Sequence, residues 1–340
     1  MHRPDPRRDA LLDWLQNELN LPVRNLAPAS SDASFRRYFR FEVGSETRIA
    51  MDAPPPQENI DPFLNVAEIL RSRGVCVPEI HAAQREKGFI VLGDFGQTVF
   101  LDVLQPENVD ALYAEAMLTL LRLQSPPSGQ TPETDLPRYD EALLRRELGV
   151  FREWCLEGYL GLTLDTNEQA LLDETFDGLV ASALSQPTVL VHRDFHSRNL
   201  MLLADGTPGV LDFQDAVIGP VTYDLASLLR DCYIAWPQHQ VSRWLHAYQQ
   251  AIEAKGLLEP VSEATFRRWF DLMGMQRHLK AVGIFCRLKL RDGKPGYIKD
   301  IPRTLGHILD AARDQSDLAP FATFLTARIL PAFLKVQQQP

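Results

Sequence analysis

The chain has 340 residues, 45% of them apolar and 24% charged, with a formal net charge of -10. That length suits two domains or one two-lobed domain with an ordinary folded core. The acidic balance excludes a general nucleic-acid or anionic-membrane binder, which needs a basic surface against phosphates.

No apolar run reaches the length of a membrane span, and the first residues lack the apolar stretch of a secretory signal. Cys76, Cys155, Cys232 and Cys286 form no CxxC pair and sit near no His at zinc spacing. Reduced thiols in a cytoplasmic protein are therefore expected, with no nucleic-acid or membrane partner and action as a monomer.

In chain order, Leu11, Leu12, Leu15 and Leu19 around Trp14 have helical spacing, ended by Pro22. Residues 35–41 and 48–51, split by Gly44-Ser45-Glu46, predict a strand hairpin. Asp61 followed by Pro62 predicts a capped helix running to Arg73 and closed by Gly74. Two more strands are predicted at 80–84 and 89–93. Beyond Gly96 the pattern turns helical, over 109–124, 139–159, 168–184, 223–235, 238–255, 263–288, 304–313 and 321–334. Residues 125–137 hold four prolines and predict a surface loop. The expected fold class is α+β, with a small sheet-rich N-lobe (1–94) and a larger, mostly helical C-lobe (95–340).

The chemistry concentrates in one stretch. An apolar run leads into His192-Arg193-Asp194, and Asn199 follows five residues after Asp194. A second apolar run leads to Asp212. This is the H-R-D-x-x-x-x-N spacing and downstream metal Asp of phosphoryl transfer. Such transfer needs positioning, a metal across the phosphates, and a carboxylate to orient and accept the hydroxyl proton. Asp194 is the candidate carboxylate. Asn199 and Asp212 offer the hard oxygen donors that Mg²⁺ prefers. His192 is expected to brace the loop and Arg193 to pair with an acid. His196 is a candidate for substrate contact.

With Val210-Leu-Asp212-Phe and Gly219-Pro-x-x-Tyr223-Asp224-Leu-Ala-Ser-Leu-Leu229, these residues resemble the aminoglycoside phosphotransferase and choline kinase-like family. The resemblance implies a two-lobed protein-kinase-like fold, ATP and Mg²⁺ as cofactors, and a small-molecule alcohol as acceptor. It implies a nucleotide-binding N-lobe and a C-lobe for catalysis and substrate. It also implies that Asp224 braces the catalytic loop, beside the plainer reading of a helix cap. The segments 31–40, 51–56, 92–96 and 291–294 resemble the amino-sugar anomeric kinase branch of cell-wall recycling. That branch would phosphorylate the C1 hydroxyl of N-acetylated amino sugars. Rival expectations are a kinase for an aminoglycoside, choline or another alcohol, and a nucleotide-binding pseudokinase.

The chain departs from the kinase pattern in its first lobe. No G-x-G-x-x-G loop is present, and Ser31 and Ser34 sit where its backbone would cradle phosphates. Met51 occupies the place of the ATP-gripping Lys, and Phe63 lies near that of its Glu partner. Both members of that ion pair being apolar leaves no buried charge unpaired. Arg36, Arg37, Arg40 and Arg48 are the replacement cations, with Arg36 or Arg37 expected on ATP. Leu92, Asp94 and Phe95 fall at the adenine hinge. Gln214, Asp215, Glu153, Trp154 and Arg287 are the remaining substrate candidates.

Overall fold

A computed structural model of the chain describes residues 5–31, 35–127, 136–313 and 315–338, without the side chains of Ser30 and Ser31. It divides into two compact units. The first comprises Met1–Gln105 with Asn199–Asp215, and the second Pro106–Arg198 with Ala216–Pro340. The lobe boundary expected after residue 94 falls inside the first unit.

The first unit is built on five antiparallel strands in the order β1-β2-β3-β5-β4. They are β1 (Val23–Ser31), β2 (Arg37–Val43), β3 (Glu46–Asp52), β4 (Ile80–Gln84) and β5 (Phe89–Gly93). Helix α1 (Pro6–Asp13) runs into a wider π-helical turn, Trp14–Glu18. Leu11, Trp14 and Leu15 cover one sheet face against Phe39, Phe41, Ala50, Phe89 and Val91. Helix α2 (Asp61–Ser72) buries Phe63, Val66, Ala67 and Leu70, the i, i+3, i+4, i+7 face of an amphipathic helix.

Two local expectations are corrected. The sequence reading places no element over 23–31. β1 nevertheless forms at the sheet edge, with irregular register between Arg24/Ala27 and Pro28/Ser30, where proline needs no ladder partner. Asp61 is not the cap of α2 but its first residue, its N–H donating to Asn59 Oδ1 at 2.9 Å. Its carboxylate accepts from Arg85 at 2.7 Å instead.

The first unit is completed by chain from much later in the sequence. Helix α3 (Phe100–Val103) and the hairpin of β7 (Leu200–Leu202) and β8 (Pro208–Val210) belong to it. β6 (Thr188–Val191) and β9 (Val217–Pro220) pair in the second unit. Val210 N–H donates to Cys76 O at 2.8 Å, Leu202 N–H to Thr98 O at 2.9 Å, and Phe213 packs on Phe63 with ring centroids 4.7 Å apart. Gly209 is needed here, since a Cβ would lie 2.6 Å from the Phe95 ring.

The second unit is helical. Its helices are α4 (Val109–Gln124), α5 (Glu141–Val150) continued as a π-helix through Phe151–Tyr159, α6 (Thr166–Leu184), α7 (Tyr223–Leu229), α8 (Gln238–Ala254), α9 (Glu263–Leu290) and α10 (Ile301–Arg313). The 28-residue α9 is its axis and is buried through most of its middle. Gly283 lets that axis touch the α5 end backbone to backbone, because a Cβ there would lie 2.5 Å from Val150 O. α7 stops at Leu229 rather than at the expected 235. Arg230 turns inward to hold Asp271 at 2.6 Å, and Asp231 takes the Tyr233 N–H at 2.8 Å.

A last helical run, containing α11 (Ala319–Phe324) and α12 (Leu330–Gln337), corrects the expectation that no segment matches a membrane span. Ser316–Gln337 is long and apolar enough by length and composition, at a mean hydropathy of 1.3. Within the second unit it is tied down by Arg328, which meets Glu168 at 3.2 Å, and by Phe333, which packs on Tyr159.

Candidate active site

The catalytic loop of the second unit leaves β6 at Val191. His192 and Arg193 donate their backbone N–H groups to the two oxygens of Asp224, at 2.6 and 2.9 Å. Asp224 lies in the first turn of α7 and makes no capping bond, so the cap reading is corrected. Arg193 has φ 78, a conformation costly for a side-chain-bearing residue. The Asp224 clamp holds it there. His192 Nδ1 accepts the Asp194 N–H at 3.2 Å, which ties the ring to the loop backbone. The Arg193 guanidinium bonds Glu147, which also takes the Tyr139 hydroxyl and, at 2.9 Å, Lys280. Among these, Glu147 is sequestered by burial, yet Lys280 and Arg193 hold its carboxyl below the ordinary range.

Asp194 sits among positive charge. Burial alone would raise its pKa, but Lys280 foremost, then His196, Arg277 and His192, bring it down to about 2. It is a carboxylate at any physiological pH, ready to accept a hydrogen bond from an incoming hydroxyl. Burial keeps His196 below its usual pKa, so its ring is neutral near pH 7. Ser197 donates both its N–H (2.9 Å) and its hydroxyl (2.5 Å) to Asp231 Oδ2. Two aspartates of one chain segment, Asp224 and Asp231, thus pin both sides of the loop. Lys280, Arg277, Glu147 and Asp231 escape the sequence reading. The available signal was charge at i, i+3 within the apolar middle of α9, and Asp231 seven residues after Asp224.

Asn199 and Asp212 lie in the first unit, on either side of the β7–β8 hairpin. Leu211 N–H donates to the Asn199 carbonyl at 2.9 Å. Asp212 has φ 60 and its Oδ1 accepts from Gln214 at 2.8 Å and from Arg36 at 3.2 Å. An amide oxygen and a carboxylate suit Mg²⁺, which typically takes one or two protein ligands and completes its shell with waters and phosphates. Among the described residues no group of three or more His, Cys, Asp or Glu side chains could hold a metal by itself. A metal here would share its shell with the nucleotide.

The other expected nucleotide contacts are distributed within the first unit. Ser34 and the Ser31 side chain lie outside the described residues. Met51 and Phe63 are both buried, which leaves no charge where the Lys–Glu pair would be. Arg37 is committed to Asp5 (2.5 Å) and to the fully buried Asp52 (2.6 Å). Arg40 forks onto Asp94 at 2.6 and 2.9 Å and holds that carboxyl low against the pull of burial. Leu92 is buried on β5, and Phe95 covers Gly209. Arg36 alone of the two expected cations points its charge at Asp212. Arg36→Ala is expected to raise the KM for ATP roughly tenfold, since a charge-assisted hydrogen bond contributes about 1.5–3 kcal/mol. Arg37→Ala is expected to register first in the melting temperature. Steady-state kinetics and thermal unfolding of the two variants separate these outcomes.

Of the substrate candidates, Gln214 donates its Nε2 to Asp212 and, at 3.4 Å, to Asp215, while its Oε1 is buried without a partner among the described residues. Glu153 and Trp154 lie on the π-helical segment after α5, and Arg287 on α9 feels the Glu153 charge. Burial and Arg291 lower the Arg287 pKa.

The comparisons with known proteins agree with this geometry. Residues 25–260 match the model of the phosphotransferase enzyme family APH. The chain is 45% identical over 329 residues to the N-acetylmuramate/N-acetylglucosamine kinase of Pseudomonas putida, covering 94% of this chain and 96% of that protein. It is 46% identical to the enzyme of the same name from Pseudomonas aeruginosa, over 90% and 89% of the two chains. Among solved structures, an ADP-bound aminoglycoside phosphotransferase superposes with a TM-score of 0.58 at 15% identity, covering 89% of this chain and 98% of that one. Matched by the family model over residues 25–260 and by relatives at 45% and 46% identity over most of both chains, the chain belongs to the phosphotransferase enzyme family.

Proposed function

We propose that this chain is an ATP- and Mg²⁺-dependent kinase that phosphorylates the anomeric hydroxyl of N-acetylmuramate and N-acetylglucosamine, supplying sugar 1-phosphates in peptidoglycan recycling in the cytoplasm. The observation that carries the reading is the 45% identity to the Pseudomonas putida kinase over nearly the full length of both chains. The first unit would bind nucleotide and the second would bind the sugar and supply the base.

In this reading Asp194 accepts a hydrogen bond from the C1 hydroxyl, aims its oxygen at the γ-phosphorus and receives the proton as the new O–P bond forms and the bond to the bridging oxygen breaks, ADP leaving. A carboxylate with a pKa of about 2 is a weak base. An anomeric hydroxyl is more acidic than other sugar hydroxyls, which makes so weak a base sufficient. Asn199 and Asp212 would hold Mg²⁺, which neutralises charge on the phosphates when bound. Arg36 adds a positive charge beside Asp212, standing in for the absent strand lysine. The Asp224 clamp and the His192 bond keep the Asp194 backbone fixed, so little reorganisation is needed on the reaction path.

The product tests the reading. After incubation with ATP, Mg²⁺ and N-acetylglucosamine, ³¹P NMR is expected to show a sugar 1-phosphate with proton coupling to the anomeric position. A 6-phosphate would sink the anomeric assignment, and turnover confined to cationic alcohols would sink the sugar.

A further inference from the structure

Two residues beyond His196, Arg198 ends the catalytic loop on the second unit. Its guanidinium carbon lies 3.8 Å from the centroid of the Tyr233 ring and 5.6 Å from that of Tyr297. Tyr297 in turn stacks on Phe285, centroids 5.6 Å apart and planes 18° apart. The His196 ring meets Tyr233 edge-on at 5.3 Å. The loop thus carries a neutral imidazole and an arginine along one aromatic wall, with Asp194 two residues before the imidazole.

The arginine is unusual in what it lacks. It makes no ion pair and no hydrogen bond with the described residues. Asp231, whose chain neighbour is Cys232 next to Tyr233, already accepts from Ser197 at Oδ2 and from Tyr233 N–H at Oδ1. Those same bonds fix the backbone on both sides of the Arg198–Tyr233 contact. Stacking on aromatic rings uses the faces of a guanidinium and leaves its edge N–H donors open. A half-buried, pre-oriented fork with open edges matches a planar carboxylate. Two polar atoms elsewhere in the second unit are also unmatched among the described residues. His196 Nδ1 and Arg277 Nε are both buried without a hydrogen-bond partner, on side chains only 8% and 5% exposed. A guanidinium held on an aromatic wall, on the same loop as Asp194, describes an acceptor site for a substrate with a negative end.

We propose that Arg198, held against Tyr233 and Tyr297, receives the lactyl carboxylate of N-acetylmuramate, and so determines how the chain ranks that acidic sugar against N-acetylglucosamine, which lacks the group. The assignment rests on the proposed sugar-kinase function. The aromatic wall provides an apolar face for the pyranose ring of both sugars. Arg198 alone answers the carboxylate.

The test compares kcat/KM for N-acetylmuramate, its lactyl methyl ester and N-acetylglucosamine in the wild type, Arg198→Ala and Arg198→Lys. In the wild type, esterification is expected to lower kcat/KM tenfold or more, the scale of one charge-assisted contact. In Arg198→Ala the acid is expected to lose tenfold or more relative to N-acetylglucosamine, and the acid and ester to become equivalent. Arg198→Lys keeps the charge without the fork and is expected to recover only part of the difference. A loop that had merely loosened would scale all three substrates by one factor, which overturns the assignment, as does an ester that the wild type uses as well as the acid. The wild-type comparison decides even where a variant does not fold. If the wild type phosphorylates neither sugar, the proposed function fails first and this assignment falls with it.

Discussion

Asp194→Asn is expected to lower kcat by about 10²–10⁴-fold, the usual contribution of a positioned acid–base group, while nucleotide binding persists. The substitution keeps the shape and removes the only property the reaction uses, a negative oxygen able to take a proton. It also removes an anion from beside Lys280 and Arg277, but Lys280 still meets Glu147 at 2.9 Å, so the network retains a counter-charge. ADP-release kinetics and calorimetric titration with a non-hydrolysable ATP analogue separate the two quantities. Turnover above one-tenth of the wild type would place the base elsewhere. Tight nucleotide binding lost together with turnover would point to a collapsed loop rather than a missing base.

The second large effect belongs to Asp224. Its two oxygens satisfy two backbone N–H groups in a fully buried setting, at 2.6 and 2.9 Å. Asp224→Ala leaves both donors without an acceptor, and an orphaned buried donor costs about 1–3 kcal/mol. Roughly 3 kcal/mol out of a total of about 5–15 kcal/mol is a large share. A melting temperature lower by about 10 °C is expected, with kcat falling because Arg193 has nothing to hold its positive φ. Differential scanning calorimetry and initial rates measure both. An unchanged melting temperature would mean that another group takes over the two N–H bonds.

The same residue sets a pH expectation. Burial raises the Asp224 carboxyl to about 6, against the favourable pull of His192 and of the two N–H bonds. Asp194, at about 2, does not titrate in the working range. The acid limb of kcat/KM is therefore expected near pH 6, where a proton on Asp224 loosens the clamp. The sign for stability is opposite. A carboxyl with a folded pKa above its unfolded value takes up its proton more readily when folded between about 4 and 6, so acid favours the folded form through this group while it removes activity. Asp224→Asn is expected to lose the limb, and a limb surviving in that variant would assign it to another group.

Much of this was legible in the sequence where the chemistry is local. The Asp194-to-Asn199 spacing is one short run after β6, and Asp212 follows one hairpin later, so the motif itself is local in sequence. Long-range pairing was not legible. Arg36 finds Asp212 across 176 residues, and nothing near either residue announces the other. Lys280 and Arg277 reach Asp194 only because α9 runs through the middle of its unit, so their charges read from sequence as an ordinary solvated pattern. β1 went unread; its Pro28 is a residue that an edge strand tolerates and a central strand would not. The Asp224 clamp was expected from resemblance, but the spacing alone favoured a cap, since an aspartate near a helix start is more often read that way.

The late segment Asn199–Asp215 has a consequence for how the protein comes into being. Residues 1–105 emerge from the ribosome first, yet they lack the pieces that cover Phe63, occupy the Cys76 and Thr98 carbonyls and give Phe95 its glycine floor. Those pieces are not translated until Phe213 has been added. The amino-terminal stretch must wait, incompletely covered, through almost a hundred intervening residues. A gene fragment ending after residue 105 would yield a sticky, unfinished body, and a workable split of this polypeptide would have to carry 199–215 along with it.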